Sequence, residues 1–182
     1  YEDAPHIQIH KLNSRTKKIC QDLQMEIGRK QKLSSTQKVS LSHHWQEQEI
    51  SSVLISAGSP RTINQKQCEI LFQGILNFMK AEGILKDNRD NKNVNKTKTR
   101  IYKSDEEISV QTSTAGMFLK EVKVGNQLEK GQKIGEVRDL YSGKRLEVIT
   151  SPEDGFLITL RQYPIVYEKE PLAIILSAKD SW

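Results

Sequence analysis

Four histidines, a turn arginine, a hairpin lysine and two cysteines are the side chains of this 182-residue chain that could do chemistry. His6 and His10 stand four apart and alternate with Ile7 and Ile9 in YEDAPHIQIH, while His43 and His44 are adjacent. Imidazoles so spaced can ligate a metal, but neither an HExxH pattern nor an orienting carboxylate accompanies them. The plainer reading is four solvent-facing histidines and no metal site. Arg61 lies on the turn that follows the apolar run Val53-Leu54-Ile55, where an α/β fold presents its ligand crevice. Its guanidinium is a candidate partner for a substrate carboxylate, the alternative being an ordinary surface-turn arginine. Cys20 and Cys68 are too few for a disulfide framework or a zinc ribbon. Both fall on apolar faces of predicted helices, where a reduced cysteine is a small hydrophobe.

The net charge of +5 has a location. Residues 86 to 103 carry seven basic side chains and two acidic ones, so the remainder of the chain is neutral. That segment holds one aliphatic residue before Ile101 and is dense in Asn, Asp, Lys and Thr, a composition that cannot bury enough apolar surface to offset ordering. It reads as a basic flexible linker. Phosphate attraction would be its only nucleic-acid signal, since Tyr102 is its one aromatic, and no specific nucleic-acid partner is expected. No apolar run reaches 18 residues, so no membrane span is expected and the cytoplasm is the expected compartment. The start has neither a Met nor a signal-peptide pattern, as in a chain entered partway through something larger.

The elements that must position these residues follow from spacing. Residues 1 to 12 suggest a short strand, and Asn13-Ser14 opens a helix that Ile19, Leu23 and Ile27 carry to about residue 27, with Gly28 ending it. Val39 to Leu41 suggests a strand, Trp45 to Ile50 a loop or short helix, and Val53 to Ile55 a strand buried on both faces. Thr62 or Asn64 caps the strongest helix, whose apolar face is Cys68, Leu71, Phe72, Ile75, Phe78 and Met79, with Gly83 past its end. After the linker come seven expected strands: 107–113, 116–122, 133–138, 145–150, 155–160, 164–167 and 172–177. Phe118, Val122, Val124, Leu128, Ile134 and Val137, spaced by glycine turns, mark this all-β module most clearly.

Two patches carry a family resemblance. SSVLISAGSPRTINQKQCEILFQGILNFMKAEGIL resembles the strand, turn and helix that close the catalytic domain of succinylglutamate desuccinylase/aspartoacylase-like proteins. AGMFLKEVKVGNQLEKGQKIGEVRDLYSGKRLEVITSPEDGFL resembles the C-terminal β domain of the same family, and APHIQIHKLNSRTKKICQDL is similar to the segment after its last zinc ligand. The resemblance implies a partial α/β zinc-carboxypeptidase-like segment at 1–85, the linker at 86–104, and a C-terminal β domain at 105–178, barrel-sandwich-like. Full-length members resemble zinc carboxypeptidases, in which two His and one Glu hold zinc and a further Glu acts as base to hydrolyse an N-acyl amide. The three ligands lie upstream of anything matched here, so neither a metal site nor a cofactor is expected in this chain as it stands. Ser56 falls at the position of the catalytic Glu, and a hydroxyl cannot serve as a general base for water at neutral pH. No catalytic residue is therefore expected. The expected partners are a second copy or an upstream partner chain, with a small N-acyl amino acid bound only if the site is completed. The β module is also similar to biotinyl and lipoyl carrier domains, which modify a hairpin-tip lysine. Lys144 sits at the tip of LYSGKRLEV, but its GKR context differs from theirs, and a type I′ or related turn at Ser142-Gly143 is the simpler reading.

Overall fold

The computed structural model describes residues 1–31, 39–86 and 97–178, and these divide into two compact units. One comprises residues 5–104; the other joins residues 1–4 to the chain from 105 onward.

The first unit is built on a βαβ unit. Strand β1 (Glu2–Ile9) buries Ile7 and Ile9 completely. Helix α1 (Ser14–Leu23) starts at Asn13, whose side chain accepts from the Thr16 amide at 2.8 Å while Thr16 Oγ1 accepts from the Asn13 amide at 2.8 Å. That reciprocal cap satisfies two amides the helix would otherwise leave bare. The expected helix to residue 27 is overturned. The chain leaves the helix at Gln24, which takes a left-handed conformation with φ 52°, and Ile27 enters strand β2 (Ile27–Lys30), parallel to β1. Ile27 continued the helical spacing by coincidence; it is buried in the sheet.

Helix α2 (Leu41–Glu47) replaces the strand expected at Val39 to Leu41. Ser40 caps it through the His43 amide at 3.3 Å, and Val39 is 87% exposed. Strand β3 (Leu54–Gly58) pairs with β1. It is not buried on both faces as expected. Val53 and Ile55 turn toward the core, whereas Leu54, between them, is half exposed, as the two-residue period of a strand requires. Helix α3 (Gln65–Ala81) is capped by Asn64 rather than Thr62, and Gly83 beyond it takes φ 71°. The core unites Ile7, Ile9, Cys20, Leu23 and Met25 with Leu71 and Phe78 of α3.

Strand β4 (Arg100–Tyr102) corrects the far end of the expected linker. It pairs parallel to β2, the Thr99 hydroxyl donates between the carbonyls of Met25 (2.6 Å) and Cys20 (2.9 Å), and Ser104 Oγ donates to the Lys30 carbonyl at 2.9 Å. Composition concealed this because an edge strand needs backbone partners more than apolar side chains. Arg100 is also spent locally, its guanidinium 4.4 Å from the Tyr102 ring centroid. The remaining linker expectation, at 87–96, lies outside the described residues.

The second unit contains all seven expected strands: β5 (Glu107–Gln111), β6 (Gly116–Lys120), β8 (Lys133–Arg138), β9 (Arg145–Thr150), β10 (Gly155–Leu160), β11 (Ile165–Val166) and β12 (Pro171–Ser177). A short β7 (Gln127–Leu128) adds to them. One antiparallel sheet runs β10-β12-β5, with β7 and the first residues of β1 along the outer edge of β10; the other runs β11-β6-β8-β9. Phe118, Ile134, Val137, Leu157, Leu172 and Ile175 share one core. Both sheets are open and the described residues form no closed barrel, so the barrel-sandwich-like description is not confirmed. None of the described helices is long and apolar enough to cross a membrane.

Two predictions concern this scaffold. A Cβ built on Gly135 would collide with the Leu119 carbonyl oxygen and lie 2.8 Å from Phe118 Cε2. Gly135→Ala should cost about 2 kcal/mol as overpacking that a sheet backbone cannot relieve, read as a lower Tm in thermal unfolding. An unchanged Tm would contradict the close approach. The second concerns Glu82, just past α3, whose carboxylate accepts from Arg15 at 2.6 and 3.0 Å and from Lys18 at 2.8 Å. Those bonds, Arg15 first, hold its carboxyl at about 2, below the ordinary 4.5. A depressed carboxyl stabilises the fold fully above its unfolded value, and that contribution drains away as pH falls from about 4.5 toward about 2. Glu82→Gln should therefore melt lower than the parent at pH 7, with the gap closing near pH 2. A gap independent of pH would show that the ion pairs contribute nothing.

Candidate functional site

The segment that the sequence singled out is β3, its turn and α3. Gly58 closes the strand with φ 77°, a Ser59–Thr62 bridge tightens the turn, and the Asn64 side chain accepts from the Gln67 amide at 3.3 Å to start the helix. Left-handed backbone followed by an Asn cap is the local reason the sequence GSPRTIN turns here. Ser56 lies half-buried within β3, and Arg61 sits exposed on the turn, five residues on. The structure thus puts both on one strand–turn–helix unit.

The histidines do not converge. Among the described residues no group of three or more His, Cys, Asp or Glu could hold a metal ion. His6, expected to face solvent, is fully buried, with its Nε2 3.4 Å from Arg29 Nη1. A guanidinium only donates, so Nε2 is the acceptor and its lone pair is directed at Arg29. Arg29, itself 3% exposed on the neighbouring strand β2, lies against the imidazole. Half-buried His10 keeps an Nδ1 with no hydrogen-bond partner among the described residues. On α2, His43 Nε2 lies 3.4 Å from Glu47 and His44 Nδ1 lies 3.9 Å from it, both on the helix surface. These residues do not fit a zinc site of two His and one Glu with an open position.

Of the two cysteines, Cys20 is buried, and burial pushes its thiol up to about 11, so it is inert. Cys68 is exposed, against expectation, because α3 turns its Leu71 and Phe78 side to the core instead. Lys144 belongs to a loop built on the Asp139 side chain. That carboxylate accepts from the Ser142 amide (2.7 Å), the Ser142 hydroxyl (2.8 Å) and the Tyr141 amide (3.1 Å), bonds that hold it below the usual carboxylate range. The hairpin closes between the Asp139 amide and the Lys144 carbonyl at 2.9 Å, leaving a four-residue loop rather than the two-residue turn expected at Ser142-Gly143.

Among the described residues three cavities lie in the first unit, one of about 600 Å³ lined by Leu23, Met25, Lys66, Ile70 and Gln73. A polar one of about 250 Å³ is lined by Lys11, Asn13, Thr16, Gln46, Glu49 and Ser51. An apolar groove of about 350 Å³ lies among Ile19, Leu23, Trp45, Ile55, Ile75 and Phe78. Neither Ser56 nor Arg61 lines them. The buried His6–Arg29 contact and the apolar groove escaped the sequence reading. Arg29 sits in the run GRKQK, which looks like a polar loop, and the only signal for its burial was Ile27 two residues earlier on the same strand face.

No family model and no curated protein matches the chain by sequence. Solved structures match its fold. A succinylglutamate desuccinylase/aspartoacylase from Rhodobacter sphaeroides superposes with a TM-score of 0.75 at 18% identity, over 97% of this chain and 55% of its own. The ectoine utilization protein EutE (DoeB) from Ruegeria pomeroyi gives 0.72 at 14% identity, over 97% of this chain and 56% of its own. An aspartoacylase family protein from Mesorhizobium loti gives 0.69 at 15% identity, over 96% of this chain and 52% of its own. The chain spans about half the length of each. From β1 to β12, then, it has the fold of that half of a succinylglutamate desuccinylase/aspartoacylase structure.

Proposed function

We propose that the chain is a portion, or a shortened relative, of a zinc-dependent N-acyl-amino-acid amidohydrolase and that alone it does not hydrolyse amides. The observation that carries this reading is Ser56: strand β3 presents a hydroxyl where the resemblance places the catalytic Glu. A hydroxyl does not serve as a general base for water near neutral pH. The resemblance matches none of the three zinc ligands to a residue of this chain, and the described residues offer no substitute group. What the strand–turn–helix unit retains is Arg61, a cation suited to an acyl-amino-acid carboxylate if a complete site were assembled around it.

The alternative reading is an interaction module or one half of a split deacylase. Coverage of about half of each similar structure favours it, as does the apolar surface left on α3.

The test is direct. Purified full chain, supplied with zinc, should release no free amino acid from N-acetyl-aspartate or N-succinyl-glutamate above the uncatalysed background. Turnover that a chelator abolishes would overturn the proposal. Ser56→Glu should remain equally silent, because a base without a metal-bound water has nothing to activate.

A further inference from the structure

We draw no further inference here: the strongest candidate, the exposed apolar patch on α3 around Phe72 and Ile75, carries nothing, because nothing in the structure shows what covers it.

Discussion

The first unit depends on burying Ile7 and Ile9 of β1 under α1. Both side chains are fully buried, so the strand's backbone is removed from water and must find partners on both edges. β2 supplies one edge and β3 the other. A parallel neighbour can be reached only by a crossover, which makes α1 a connector as well as a cover. Its length is set accordingly: the helix must end at Gln24 so that Met25 and Ile27 can return to the sheet. The Thr99 hydroxyl then holds the carbonyls at that exit, and β4 extends the parallel set from β2.

Much of this was legible where the local signal and the final packing agree. The Asn13 and Asn64 caps, the glycine-punctuated strands of the second unit and the helix before Gly83 are encoded within a few residues of themselves. The misreadings arise where two periods overlap or a partner lies far along the chain. Ile27 fits a helix after Ile19 and Leu23 and also fits the strand it actually joins. Arg100 to Tyr102 looks like the end of a charged tether until β2, some seventy residues earlier, is there to receive it. His6 looked solvent-facing because alternation with Ile7 places it on the other face of β1, and only the fold shows that this face is covered too.

The candidate site was legible as sequence and changed little as structure. Ser56 and Arg61 occupy the strand and turn that the pattern indicated, yet neither reaches the cavities beside them. The strand–turn–helix framework is present, and among the described residues no group of three or more His, Cys, Asp or Glu could hold a metal ion. Fold and chemistry separate easily in this way, because cores constrain volume and hydrogen bonding whereas reactivity rests on a few side chains.

The pairing of β1 also bears on how the chain is made. Its first residues belong to the second unit, where Asp3 accepts from the Thr159 hydroxyl at 2.7 Å, Glu2 accepts from Gln162 at 2.6 Å and the Tyr1 hydroxyl donates to the Pro171 carbonyl at 2.9 Å. During synthesis those residues leave the ribosome long before their partners do. The outer edge of β10 can be completed only once β10 itself has been translated, across a loop whose closure entropy exceeds that of any neighbouring hairpin. Until then the first unit can assemble while the second lacks part of its edge, so a pause in translation before residue 159 would expose an unpaired strand to whatever else is nearby.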